Sequence, residues 1–442
     1  MYLLIAAIFV AGYLMIAFEH SIRIDKAASA IMTAVLTWTV LVMGFDSSAT
    51  HAVREHLGEI SEILFFLLGA MTIVGLVDAH EGFKVITDII STRKKVTLLW
   101  IISFITFFLS AVLDNLTTTI VMVSLLRKLV SDREERWFIA GMVVIAANAG
   151  GAWTPIGDVT TTMLWIGSQI TTATIMQKVF VPSMACLLVP LVFLSFRLKG
   201  EFHPPPEANN LAGARDIVTN FERKLVLFLG LGALLFVPVF KTITHLPPYM
   251  GMLFGLSLLW MVTAIMHGSK NHEDKLPLSI AGVLTRIDTA SILFFLGILL
   301  AVAALATAGH LQQLGEYLNV KLGNVYAINI AIGLLSAVID NVPLVAGAMK
   351  MYPLVTPESL AAVAPDQALW LGKFVQDGLF WELLAYCAGT GGSCLIIGSA
   401  AGVAAMAMEK IDFFWYVRNI SLLALLGYLA GASLYIAEAL LL

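Results

Sequence analysis

A short polar motif recurs inside apolar sequence, and each copy is followed by a glycine-rich break. In the first half the chain reads Ser110-Ala111-Val112-Leu113-Asp114-Asn115. Further on comes Asn148-Ala149-Gly150-Gly151-Ala152-Trp153-Thr154-Pro155-Ile156-Gly157-Asp158. In the second half it reads Ser336-Ala337-Val338-Ile339-Asp340-Asn341, then Gly389-Thr390-Gly391-Gly392-Ser393-Cys394-Leu395-Ile396-Ile397-Gly398. Carboxylates at membrane depth are costly and are functional candidates by default. A duplicated polar pair beside a duplicated helix break is what a secondary transporter's binding site looks like in sequence.

The membrane setting follows from composition. Of 442 residues, 59% are hydrophobic and only 13% charged, against the quarter usual in soluble domains, and the mean hydropathy is +0.89. The three cysteines lie in apolar segments, which argues against a disulfide framework or a zinc site, and the histidines fall in loops or at span ends without ligand spacing. No cofactor is expected. The apolar start at Met1–Ala17 lacks a basic leader region and reads as a first span rather than a signal peptide.

Runs long enough to cross a bilayer fall at about 1–17, 27–45, 60–78 and 175–196, with the motifs in two longer stretches at about 96–130 and 137–170. The order repeats at about 224–240, 249–267, 289–308, 325–350, 376–407 and 413–440. Ile63-Leu64-Phe65-Phe66-Leu67 also returns as Ile292-Leu293-Phe294-Phe295-Leu296. The expected fold is an all-α polytopic membrane protein of two inverted repeats, 1–197 and 224–442, joined by a cytoplasmic linker at 198–223 that holds His203-Pro204-Pro205-Pro206. Each repeat is expected to hold five transmembrane helices, a re-entrant hairpin (about 96–130 and 325–350) and a discontinuous helix (about 137–170 and 376–407). Two complete spans joined by a polar turn are the alternative to each hairpin.

Charge gives the orientation. All but Arg54, Lys178, Lys241, Lys321, Lys350 and Lys373 of the 26 lysines and arginines fall on one side of this scheme, so that side is cytoplasmic and both termini are extracytoplasmic.

A hairpin tip directs free backbone N–H groups and a positive dipole end at the midplane. Here the tips carry Asp114 and Asp340, and a third carboxylate, Asp158, follows the first break beside Thr160, Thr161 and Thr162. Its repeat counterpart, Gly398-Ser399, is uncharged. Three acids without an intramembrane base favour a cation or proton over an anion. Asn115, Asn148, Thr154, Asn341, Thr390, Ser393 and the freed carbonyls supply oxygen ligands for a hard cation. Desolvation favours the protonated carboxyl, so proton and cation compete for one group. Each aspartate has a plainer reading as a helix cap, and the threonines as hydroxyls bonded to their own helices. Asp377 and Glu382 read as an outer vestibule, and Glu62 as interfacial or on a proton path.

These motifs resemble the NhaD-type sodium/proton antiporters of the ion transporter superfamily, which also holds arsenite permeases and sodium–dicarboxylate cotransporters. The resemblance covers nearly the whole chain. It implies exchange of sodium, and lithium, for protons by alternating access across the cytoplasmic membrane. It also implies a homodimer with fixed scaffold helices and a moving transport domain. By motif position it points to Asp114, Asn115, Asn148, Asp158, Thr160, Thr161, Ser336, Asp340, Asn341 and Ser393, to which Thr390 is added as an oxygen ligand. The carboxylate transporters carry Ser-Asn-Thr at the tips, and aspartate here counts against that substrate. A proton-coupled arsenite or antimonite permease is the alternative; an enzyme, a channel and a nucleic-acid partner are disfavoured.

Overall fold

The computed structural model describes residues 2–44, 48–87, 90, 92, 94–198, 200–202, 218–268, 270–271 and 275–441. The proline-bearing centre of the expected linker lies outside them. The described residues are helical, with no strand beyond an isolated bridge between Lys94 and Glu201.

The first half gives α1 (Tyr2–Ala17), α2 (Lys26–Gly44), α3 (Ser48–Ala79), α4 (Lys95–Leu113), α5 (Asn115–Leu129), α6 (Arg133–Gly151), α7 (Val159–Ile166) and α8 (Thr172–Arg197). The second gives α9 (Asn220–Thr244), α10 (Pro248–Met266), α11 (Thr289–Thr307), α12 (His310–Leu322), α13 (Val325–Leu335), α14 (Asn341–Met351), α15 (Leu379–Gly391), α16 (Ala400–Glu409) and α17 (Phe413–Leu441). Local chemistry sets many boundaries. Asp132 caps α6 through the Glu135 N–H at 2.8 Å, and Thr219 with Glu222 forms a capping box at α9. Helix α10 begins at Pro248, whose missing N–H costs nothing in a first turn.

Eight described helices are long and apolar enough to cross a membrane, or nine if the pair α12–α13, bent by 119°, counts as one. Helix α3 starts well before its apolar run at 60–78. Helix α4, at 19 residues, is itself one of the eight, whereas α5 has 15 and α13 and α14 have 11 each. The shortness expected of the first hairpin therefore belongs to α5 and not to α4.

The helices pack in two groups. In a frame group, α2 lies on α1 and α11, and α10 on α9 and α3. In a motif group, α4 lies on α6, α13 on α15, α5 on α16, α7 on α14, and α8 on α17. Contacts between the groups run through α11 on α14, α3 on α7 and α9 on α4. Helix α6 from Ile139 and α15 from Phe380 are buried on every side to their ends, so the two helices that break form the centre of the molecule.

Two glycines permit that centre. A Cβ on Gly150 would stand 2.1 Å from the Phe107 carbonyl oxygen, and one on Gly391 would stand 2.0 Å from that of Gly333. The backbones of α4 and α6, and of α13 and α15, touch at these points.

Candidate functional site

The first broken helix stops where its sequence removes the means to continue. After Gly151 the chain passes Pro155, which has no N–H, and Gly157 before restarting. Asp158 begins the new helix, with one carboxylate oxygen accepting from the Thr160 N–H and hydroxyl, both at 2.9 Å. In the second copy Ser399 does the same work, accepting from the Gly402 N–H at 3.2 Å. The sequence pairing of Asp158 with Gly398-Ser399 is thus a structural pairing of N-caps, one charged and one neutral.

The segments leading into α5 and α14 are fastened to the broken helices in matched ways. Ser110 donates to the Ala147 carbonyl at 2.6 Å, and Ser336 to the Ala388 carbonyl at 2.8 Å. These serines stitch backbone to backbone. Thr154 adds a bond to the Ala111 carbonyl at 2.7 Å.

At the centre is Asp158, 1% exposed. The Asn115 amide donates to it at 2.6 Å, and the Asn341 amide reaches both its oxygens at 3.4 Å. One carboxylate therefore receives amides from the first residues of both α5 and α14. Asn115 also donates to the Asn148 side-chain oxygen at 3.0 Å, and Asn148 in turn to the hydroxyls of Ser393 and Ser399, each at 2.9 Å. The polar chain runs from one break to the other. Tyr416 closes the far end with a bond to the Ser393 carbonyl at 2.9 Å.

Of the residues expected from sequence, Asn115, Asn148, Asp158, Thr160, Asn341 and Ser393 form this connected cluster. Asp114 and Asp340 stand one residue away, each capping its helix: Asp114 accepts from the Thr117 N–H at 2.8 Å and hydroxyl at 2.7 Å, and Asp340 from the Val342 N–H at 3.0 Å. Asp114 holds φ 94° and ψ 158°, a conformation suited to glycine, whereas Asp340 has an ordinary φ of −47°. Ser336, Thr161 and Thr390 give their hydroxyl hydrogens to backbone carbonyls, those of Ala388, Asp158 and Tyr386. As donors they are spent; as oxygen ligands they are not. The buried hydroxyls of Thr118 and Thr119 have no partner among the described residues.

Three further readings change. Glu382 is no vestibule group: it is 5% exposed and accepts from the Tyr435 hydroxyl at 2.5 Å. Asp377 caps α8 through Thr171, whose N–H lies at 2.6 Å. Ser399 was visible only as a counterpart and proves to be a direct partner of Asn148. Tyr13, on α1, accepts the Asp340 N–H at 3.2 Å and had no sequence signal.

A cavity of about 950 Å³ between the two groups opens among Asp25, Lys26, Glu81, Arg286 and Asp288 and runs in to Thr117, the partner of Asp114. On the opposite face the groups are tied together. Lys350 of α14 pairs with Glu59 of α3 at 2.7 Å, with His56 at 3.2 Å from the same carboxylate oxygen. Lys241 of α9 donates to the Trp165 carbonyl at 2.8 Å and lies over that ring at 4.4 Å.

The family model described as citrate transporter matches residues 13–371. The chain is 51% identical to sodium/proton antiporter 1 of Arabidopsis thaliana, over 98% of this chain and 72% of that protein. It is 48% identical to sodium/proton antiporter 2 of the same plant, over 98% of each. The Na(+)/H(+) antiporter NhaD of Vibrio cholerae is 30% identical, over 97% of this chain and 90% of that one.

Proposed function

Because the chain belongs to the citrate transporter family, whose members are secondary transporters and not enzymes, we propose that it exchanges sodium, and lithium, for protons by alternating access. One observation carries this reading: the buried Asp158 carboxylate, touched among the described residues only by amide, hydroxyl and backbone donors, with both hairpin tips meeting on it. A bare charge so placed costs several kcal/mol. It therefore holds either a proton or a cation, and exchanging one for the other is antiport. Asn115 and Asn341 suit both states. Each turns N–H to the carboxylate, and a half-turn of the amide offers oxygen to a cation instead. The hydroxyl oxygens of Thr160 and Ser393 complete an oxygen-rich lining.

The same geometry weighs against a carboxylate cargo, despite the family's name. A citrate-like anion needs positive charge, and Asp158, Asp114 and Asp340 supply the opposite. A neutral arsenite gains nothing from a carboxylate that must change its charge in each cycle.

Alternating access draws on the packing. The contacts of α2 with α1 and α11 correspond to those of α10 with α9 and α3, and the contact of α5 with α16 to that of α14 with α7. This pairwise agreement supports two inverted repeats, with the motif group moving against a frame in a homodimer of the cytoplasmic membrane. The cavity face is then cytoplasmic, by the lysine and arginine distribution.

Dye quenching in everted vesicles tests the exchange. Sodium and lithium should release the proton gradient and potassium should not. The half-saturating sodium concentration should rise as pH falls, because proton and ion share a site. A response to arsenite but not to sodium would overturn the proposal.

A further inference from the structure

The turn between α13 and α14, residues 336–340, ends at Asp340. No carbonyl among the described residues takes up the Asp340 backbone N–H, which goes instead to the Tyr13 hydroxyl oxygen of α1 at 3.2 Å. This bond crosses from the frame group to the motif group, and both its ends are held. A Cβ on Gly12 would overlap the Thr33 hydroxyl of α2, so α1 and α2 meet without a gap beside Tyr13. The Phe9 ring, one turn earlier, stacks on that of Tyr13 at 6.1 Å. On the motif side Ser336 is bonded to the Ala388 carbonyl, and a Cβ on Gly398 would stand 2.6 Å from the carbonyl oxygens of Ser336 and Ala337. The turn is seated on the second break and hydrogen-bonded across to the frame by Tyr13.

The next residue carries that tie into the site. Asn341 turns its amide to both Asp158 oxygens at 3.4 Å. One residue therefore separates the N–H held by the frame from the amide on the central carboxylate, and where Tyr13 holds Asp340 sets where Asn341 points. The other half is built differently. Helix α9 packs on α10 as α1 packs on α2, yet near Asp114 it offers Leu234. With Phe66, Leu67 and Met252, that leucine lines a void of about 20 Å³ bordered by Asp114, and every frame residue around the void is apolar. A hydroxyl meets one turn, and hydrocarbon meets the other.

We propose that Tyr13 is a positioning residue for the exchange, which holds the turn before α14 against the frame in the arrangement open to the cavity and so sets Asn341 on Asp158. The proposal rests on the alternating-access reading and adds a residue to it. The bond joins a hydroxyl oxygen to a backbone N–H, so it answers to position and not to the charge of the carboxylates. It is made while the motif group sits as described and is lost when that group moves against the frame. The turn before α5 has only an apolar wall to slide on. The two turns are alike in sequence and unlike in how the frame holds them.

Tyr13→Phe removes one oxygen and keeps the ring. Taking the partner from a buried N–H should shift the balance of the two arrangements about ten-fold away from the cavity-open one. In vesicle exchange with sodium supplied from the cavity side, the half-saturating concentration should rise about two- to ten-fold while the maximal rate holds or rises. A cysteine at Ser124 in the cavity, read against the buried native Cys186, Cys387 and Cys394, should label about two-fold or more slower in Tyr13→Phe without sodium. The thermal midpoint is read alongside, so that a folding defect is seen as such. Leu234→Met alters the frame at the other turn without removing a hydrogen bond and should leave both readings near wild type. Unchanged half-saturation and labelling in folded Tyr13→Phe, a lower maximal rate alone, or an equal response of Leu234→Met overturns the role of Tyr13 and leaves the antiporter reading standing. A wild type with no sodium response overturns the antiporter reading, and the labelling ratio, which needs no sodium, then still decides whether Tyr13 holds the cavity-open arrangement.

Discussion

Asp114 occupies a backbone conformation, φ 94° and ψ 158°, that glycine adopts freely and side chains with a Cβ do not. Holding a non-glycine residue there costs about 1–3 kcal/mol. Replacing it by alanine keeps the strain and removes the cap on Thr117, a loss of about 1 kcal/mol. Replacing it by glycine removes the strain, costs only a few tenths of a kcal/mol as a cap, and adds roughly 0.5–1 kcal/mol of chain entropy in the unfolded state. Both variants lose the same carboxylate. Asp114→Gly should therefore be more stable than Asp114→Ala by about 1–3 kcal/mol. In thermal unfolding of detergent-purified protein at one heating rate, this amounts to a difference of a few degrees. Neither variant should exchange sodium for protons. Equal midpoints, or alanine above glycine, would refute the strain argument and make Asp114 an ordinary cap.

Asp158→Asn should insert and fold but lose sodium-driven proton movement. One amide oxygen cannot accept everything the carboxylate accepts, so a stability loss of about 1–3 kcal/mol should accompany the loss of exchange; normal exchange would reduce Asp158 to a helix start. Lys350→Met should cost less than about 1 kcal/mol, since Lys350 and Glu59 are 33% and 53% exposed. It should nevertheless weaken closure of the latched face, so that a cysteine at Ser124 in the opposite cavity labels more slowly; unaltered labelling would count against the latch. Glu409, whose side chain is 1% exposed and which pairs with both Arg127 and Arg136, should be a strong determinant of stability. Glu409→Gln should lower the unfolding free energy by about 3 kcal/mol, and a change under 1 kcal/mol would show that the arginines find other partners.

Much of the site could be read from sequence because its chemistry is local. Asp-Asn at a tip, Gly-Gly at a close backbone approach and Pro-Ile-Gly-Asp at a restart each state their purpose within a few residues. Long-range partners could not be read. Ser399 lies 251 residues from Asn148, and no spacing rule links them. Buried His80 and His267 share a hydrogen bond of 2.8 Å between the ends of α3 and α10, yet each reads as an unremarked loop histidine. Glu382 was misread for a related reason. Hydropathy marked it as the polar start of an apolar run, and only the return of α17 with Tyr435 covers it. The span lengths were good guides where helices are straight, and poor where α3 continues beyond its apolar run.

The amide pair on Asp158 has a consequence for how the protein is made. Asn115 comes from the same half of the chain, but Asn341 lies 183 residues further on. While the ribosome is still working through the second half, the first break has entered the bilayer with its central acid only partly satisfied. Helix α5 meanwhile lacks α16, and α7 lacks α14. The nascent first half thus carries an unfinished polar seam that lipid cannot satisfy. It needs a protein surface, such as the insertion machinery or a second nascent chain, to shelter it until the later helices arrive.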